Sequence, residues 1–224
     1  MDVFEALAAR RTCRAFKPSP VPRATVEAIL TAAGRAPSGG NLQPWRVWAL
    51  AGEDLAALKG KVLGRIAAGQ LTDGDYEYLI YPPQLKEPYL TRQFRNGEQL
   101  YGAMNIARDD AAGRMEQFRR NFELFGAPVG IFLAIDRTMD RPQWADLGMY
   151  LQSLLLAATA RGLSTAALES WSLQHRTVRE HLAMPADLML FCAVALGLPD
   201  EADPVNAIRA ERAPLDEVAV LRGF

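Results

Sequence analysis

Apolar positions along this chain follow two rhythms, and together they predict helices laid against a sheet. Val26, Ile29, Leu30 and Ala33 recur at the spacing of one helical face after Pro22, which predicts a helix over 23–35. A shorter helix is predicted over 2–9. Helical patterns also cover 54–68, 145–161 and 174–183, the last stopping before Pro185. Four apolar runs read as strands: 47–51, 129–135, 165–168 and 188–196. The fourth is apolar throughout, so it is expected to be buried on both faces, with helices on both sides of the sheet. The helix beginning near Ala145 is apolar nearly all round, which predicts a central, enclosed position, and Gly162 suits its C-terminal cap.

Two stretches break this rhythm. The segment from about 69 to 120 holds five of the six tyrosines, Tyr76, Tyr78, Tyr81, Tyr89 and Tyr101, together with Arg92, Phe94 and Arg95. Pro82, Pro83 and Pro88 punctuate it. Such a connection is either a lid over a binding site or a structural excursion whose tyrosines cover the core edge. The tail from 204 carries Arg209-Ala210-Glu211-Arg212, then Pro214 and a short apolar run over 218–221 that can pair as a strand with its own sheet or with a partner's.

Composition bounds the function. At 224 residues, half of them hydrophobic, the chain can bury a full core, and one domain over 1–224 is expected. A net charge of −1 gives no basic face for nucleic acid. Cys13 and Cys192 lie far apart without metal-ligand spacing, which suits a reduced, cytoplasmic chain and no metal site. The acidic start, Met1-Asp2-Val3-Phe4-Glu5, does not read as a signal peptide. The longest apolar stretch, 147–160, falls short of the roughly 20 residues of a membrane span, so no membrane partner is expected.

Standard catalytic motifs are missing. No G-x-G-x-x-G follows a strand, no P-loop occurs, and Ser170 does not sit in a nucleophile elbow. His175 and His181 fall on a polar amphipathic helix and read as solvated residues, without a carboxylate-histidine-nucleophile pattern. What remains is a pair of segments near the start. Arg10, Arg11 and Arg14 flank Thr12, a donor set suited to phosphate, although a basic run at a helix end is also often simply solvated. In Pro37-Ser38-Gly39-Gly40-Asn41-Leu42-Gln43-Pro44-Trp45, glycines permit close backbone approach, Asn41 and Gln43 offer amides, and Trp45 gives a flat apolar wall. Together they suit a planar, phosphorylated cofactor.

These segments resemble the FMN-dependent nitroreductase family. The resemblance extends to Asn121 before Phe125-Gly126-Ala127-Pro128, to Asp146-Leu147-Gly148, to Ala167-Leu168-Glu169-Ser170, to Leu196-Gly197 and to Arg209–Pro214. It covers nearly the whole chain except about 60–115. It implies an α+β fold, a three-layer α/β/α sandwich around a central mixed, mostly antiparallel sheet, in a dimer with an exchanged C-terminal segment. It also implies FMN at a homodimer interface. Arg10, Arg11, Thr12 and Arg14, with Arg209 and Arg212, would hold the phosphate and ribityl end. Pro37, Ser38, Gly39, Asn41 and Gln43 would come from the other subunit. Asn121 would contact the ribityl or pyrimidine edge, and the backbone of Leu168, Glu169 and Ser170 would pass the ring.

The chemistry the resemblance implies is hydride transfer from NADH or NADPH to flavin and on to a small-molecule acceptor, a nitroaromatic or quinone, in a ping-pong cycle. No catalytic side chain is required, and the 69–120 region, through Tyr89, Arg92, Phe94 and Arg95, would shape the acceptor site. The alternatives are a flavoenzyme of the same fold with other chemistry, reductive dehalogenation or flavin fragmentation, and a non-catalytic FMN-binding module.

Overall fold

The four apolar runs form one sheet in a computed structural model that describes all residues from Met1 to Phe224. Strands β1 (Trp45–Ala51), β2 (Val129–Asp136), β3 (Ser164–Leu168) and β4 (Leu188–Gly197) lie in the order β1-β2-β4-β3, each neighbouring pair antiparallel. The mixed character expected of the sheet is confined to a single parallel bridge between Thr12 and Thr165.

Both faces of the sheet are covered, as the unbroken apolar run of β4 requires. On one face, α2 (Arg23–Ala33) and α6 (Arg141–Thr159) bury Ile29, Leu147 and Leu154 against Ile131, Leu133 and Val194. On the other, α3 (Gly52–Ala67) and α7 (His175–His181) bury Leu55, Leu58, Val62 and Val178 against Phe132, Ala193 and Ala195. Trp171 is fully buried there, its ring 5.2 Å from Phe132 and its indole N–H donating to the Asn121 carbonyl at 3.0 Å. This is the expected three-layer arrangement of helices on both sides of the sheet.

Several expected boundaries move. Helix α6 starts at Arg141 because Asp140 and Gln143 form a capping box with Pro142 in the first turn. It is not enclosed as expected: it buries Leu147, Tyr150 and Leu154 inward, but Met149 on its outer side is 38% exposed. The helix expected over 174–183 forms as the shorter α7, His175–His181, and a 3-10 turn, Glu169–Gln174, precedes it. The 69–120 stretch folds into α4 (Tyr89–Ala103) and α5 (Ala111–Arg119). No strand forms at 218–221; α8 (Leu215–Val218) is a single turn, and Val218, Val220 and Leu221 stand exposed.

One irregularity in the sheet matters for the site. The register between β2 and β4 shifts at Leu133 and Ala134, which pair with Cys192 and Leu190, so Phe191 is left as an extra residue. Its carbonyl is taken by the hydroxyl of Tyr78, whose ring packs against Trp144 and Phe191. A second tight point is Gly130 in β2. A Cβ there would lie 2.7 Å from Leu124 and 2.9 Å from Leu55, both fully or nearly fully buried. Gly130→Ala is therefore expected to cost about 1–3 kcal/mol of stability by overpacking, read as a lower midpoint in urea denaturation with an unchanged slope.

Candidate functional site

Residues 12–17 form an extended segment pinned at both ends of its length. The Cys13 N–H donates to the Thr165 carbonyl of β3 at 2.9 Å, the Phe16 N–H to Phe125, and the Lys17 N–H to Leu198. Extended backbone alternates its side chains. Cys13 and Ala15 thus enter the core, while Thr12 and Arg14 face outward into a cavity. Asn206, buried, ties the C-terminal segment to this one: its Oδ1 accepts from the Arg14 N–H, and its Nδ2 donates to the Ala15 and Asp200 carbonyls, all at 2.8 Å. Beyond it, Arg209 and Arg212 reach the same cavity.

That cavity, of about 350 Å³, is ringed by Arg10, Arg11, Thr12, Arg14, Arg209 and Arg212, and no carboxylate lines it. Arg11 is neutralised by Glu201, which takes its Nη2 on both carboxylate oxygens. Arg10 has no such partner; burial, and then the charge of Arg212 beside it, hold its guanidinium below the ordinary value. Burial does the same to Arg14, whose guanidinium makes no ion pair. Unpaired, partly desolvated cations converging on one hollow are suited to an anion.

Thr12 and Arg14 also belong to the wall of a second cavity of about 470 Å³. Its other walls are the end of β3 and the turn after it, Leu168, Glu169 and Ser170, with Asn121, Phe118, Leu151 and the bulged Phe191-Cys192 of β4. Ile80, Tyr81 and Tyr101 close it from the 69–120 region. The wall is mostly apolar and its few polar groups converge, as in a ligand site. Ser170 Oγ is buried without a hydrogen-bond partner. Asn121 spends its Nδ2 on the Phe118 carbonyl at 2.8 Å.

The turn 37–43 stands apart, lining neither cavity. Buried Asp146 of α6 accepts the Gly39 N–H at 3.2 Å, and Ser38 Oγ accepts the Gln43 N–H at 3.0 Å. Gly40, Asn41 and Gln43 all have positive φ, which only glycine adopts freely. The turn is thus held in a demanding conformation while Asn41 and Gln43 remain exposed.

In the 69–120 region the geometry differs from expectation. Arg92 and Arg95 do not face the second cavity; they meet the tail, at 2.6 Å from Glu217 and 3.9 Å from Glu211. Tyr89 and Phe94 are exposed outside both cavities, with Arg108 over the Phe94 ring. The cavity wall is instead Ile80, Tyr81 and Tyr101, while Tyr78 covers the core edge, so the tyrosines divide between the two roles open to them. The missed signal is the acidic comb Asp73, Asp75 and Glu77, spaced by two as in an extended segment.

That comb corrects the reading of the histidines. His175 is buried, with Nε2 2.9 Å from Asp75 and Nδ1 3.0 Å from Glu77, the latter without hydrogen-bond alignment. Glu77 is nearly fully buried and also takes a two-pronged contact from Arg137 at 2.8 Å and one from Arg179. Asp73 pairs with Arg65 at 2.8 Å, and His181 pairs with Asp54 at 2.9 Å. The helix face is an anchor, not a solvated surface. Removing Glu77 leaves the partly exposed Arg137 and Arg179 without their carboxylate, so Glu77→Ala should cost about 1–3 kcal/mol. By contrast, Glu217→Ala at the exposed Arg92 pair should cost under about 1 kcal/mol, both read by chemical denaturation.

Comparison with known proteins now places the chain. The model of the nitroreductase family matches residues 7–198. A 4-nitrobenzoate reductase of Nocardioides sp. (strain LMS-CY) is 36% identical over 218 residues, covering 96% of this chain and 88% of that protein. The crystal structure of an FMN and NADPH-dependent nitroreductase, NfnB, from sphigopyxis sp. strain HMH is 46% identical, with a TM-score of 0.96 over all of both chains. The FMN-dependent NfnB of Mycobacterium smegmatis, in complex with NADPH, is 28% identical, with a TM-score of 0.92 over 99% of this chain and 100% of that one. The chain belongs to the nitroreductase family.

Proposed function

We propose that this protein is an FMN-dependent oxidoreductase that takes a hydride from NADH or NADPH and passes it to a nitroaromatic, a quinone or a related acceptor. The observation that carries the reading is Arg14: a partly buried guanidinium, free of any protein anion, in the wall shared by an arginine-ringed cavity and an apolar one. FMN joins a phosphate to a planar ring through a flexible chain, and this pair of cavities offers a fitting place for each end. Arg10, Arg209 and Arg212 would hold the phosphate with Thr12, and the turn of Leu168, Glu169 and Ser170 would run past the ring beside Asn121. When bound, the flavin supplies the hydride chemistry; the protein contributes placement and electrostatics. The related nitroreductases of known structure, one FMN and NADPH-dependent and one FMN-dependent and in complex with NADPH, support this assignment.

A homodimer completes the site in this proposal. The turn 37–43, strained and presented away from its own chain's cavities, would line the flavin of the partner. The exposed run Val218, Val220 and Leu221 would cross to the partner and add a strand at the unpaired edge of β1. An apolar groove of about 430 Å³ beside that edge, lined by Val21, Val26 and Leu30 of the α2 region, would receive its side chains. We assign the acceptor wall to Ile80, Tyr81 and Tyr101, with Arg92 and Arg95 fastening α4 to the tail. Two free, buried cysteines suit a reducing compartment such as the cytoplasm, and no helix is long and apolar enough to cross a membrane.

Anaerobic NADPH should bleach the flavin absorbance, and a nitroarene should restore it; bound FMN that stays oxidised would favour a storage module instead. Arg14→Met should weaken FMN binding by tenfold or more, on the order of 1.4 kcal/mol, measured by fluorescence titration. The same change should leave the flavin-free protein no less stable, because it removes an unpaired, desolvated charge. Unchanged FMN affinity would remove Arg14 from the site.

A further inference from the structure

We propose that Glu169 is the proton donor for nitro-group reduction, a catalytic residue in addition to the cofactor. The inference rests on the FMN reading above. Glu169 opens the 3-10 turn that follows β3 and is half-buried in the wall of the largely apolar cavity. Its backbone carbonyl accepts the Ser172 hydroxyl at 2.8 Å, but its side chain makes no hydrogen bond or ion pair within the chain. The next residue, Ser170, presents a hydroxyl that is buried and equally without a partner. The buried Ser170 hydroxyl lacks the partner such groups ordinarily have, and the half-buried Glu169 carboxyl beside it in the wall is paired with no protein group.

The surroundings keep that carboxyl group available as an acid. Burial pushes its ionisation above the usual carboxylate range. The groups whose charge it touches are Tyr78 and Cys192, and burial pushes both upward, so both remain neutral. Tyr81 and Tyr101 line the same cavity, and the one cation of its wall, Arg14, is shared with the arginine-ringed cavity. No base within this set would take the proton ahead of a ligand.

Nitro reduction needs such a group. Hydride transfer to a nitro oxygen leaves the anion ArN(OH)O⁻. Its collapse to the nitroso product requires a proton on the hydroxyl oxygen: the Glu169 O–H bond breaks, a new O–H bond forms, the N–O bond breaks, and water leaves. Solvent then returns a proton to the carboxylate. The sum is ArNO₂ + NAD(P)H + H⁺ giving ArNO + NAD(P)⁺ + H₂O, with the nitro nitrogen reduced by the two electrons of the hydride.

The test compares wild type, Glu169→Gln and Glu169→Asp as FMN-loaded protein, reduced with NADPH and mixed in stopped flow with either nitrobenzene or ferricyanide, a one-electron acceptor that takes no proton. The ratio of nitrobenzene to ferricyanide reoxidation rates should fall about a hundredfold in Glu169→Gln and recover in part in Glu169→Asp. In the wild type the nitrobenzene rate should decline as pH rises through the ionisation of Glu169, and Glu169→Gln should lose that decline. A spectroscopic readout stands apart from turnover: the absorbance of oxidised FMN should shift with pH in wild type, as the carboxyl ionises, and not in Glu169→Gln. An unchanged ratio, or parallel loss of both rates, overturns the proposal. Wild-type protein that binds no FMN, or whose FMN is not reduced by NADPH, overturns the underlying reading and the proposal with it.

Discussion

Everything at the site hangs on the short backbone pairing that lays residues 12–17 along the start of β3 and the turn before β2. Three hydrogen bonds, from Cys13, Phe16 and Lys17, fix an extended segment at the sheet margin. Its alternation then decides which side chains become core and which face the two cavities. Because Asn206 clasps the same segment from the far end of the chain, Arg209 and Arg212 arrive beside Arg10 and Arg14. One local arrangement thus gathers cations from two ends of the sequence that would otherwise repel one another. Their mutual repulsion and desolvation are a cost to the empty protein, and that cost is the affinity offered to an anion.

A second constraint is the seating of the 70–78 segment. Asp73, Asp75 and Glu77 fit a row of basic groups from α3, α7 and the end of β2, with Glu77 and His175 deeply buried. Tyr78 then occupies the carbonyl freed by the bulge at Phe191. The following residues, Ile80 and Tyr81, are delivered to the cavity by a stretch that cannot slide. By contrast, α4 is held mainly by exposed ion pairs with the tail, which are weak and screened by salt.

The four strands and the main helices were readable from apolar periodicity, because two covered sheet faces impose long apolar runs and one-sided helices. Boundaries moved where capping chemistry outweighed hydrophobicity, as at Asp140 and Gln143. The arginines that gather round one cavity were conspicuous from residue type alone, whereas the 37–43 turn, equally conspicuous in sequence, lines neither cavity of its own chain. Assigning the 69–120 side chains was beyond periodicity: Tyr81 and Tyr89 look alike in sequence, and only the anchoring of Tyr78 and Glu77 determines which one meets the cavity. His175 misled for a related reason. Its helix is polar because the partners that bury it are carboxylates on a distant segment, and a polar face matched to charges cannot be told from a wet one without those partners.

Helix α4 buries none of its residues. Between the firm anchorage at Glu77 and the return to the core at Gln117, the chain owes little to the folding of the sheet. Substitution there can therefore accumulate almost without penalty to the scaffold, while the wall it presents to incoming molecules is remade. The fold separates what must be kept from what can be exchanged, so under the proposed function a change of acceptor range is acquired by exchanging this stretch and not by redesigning the sheet.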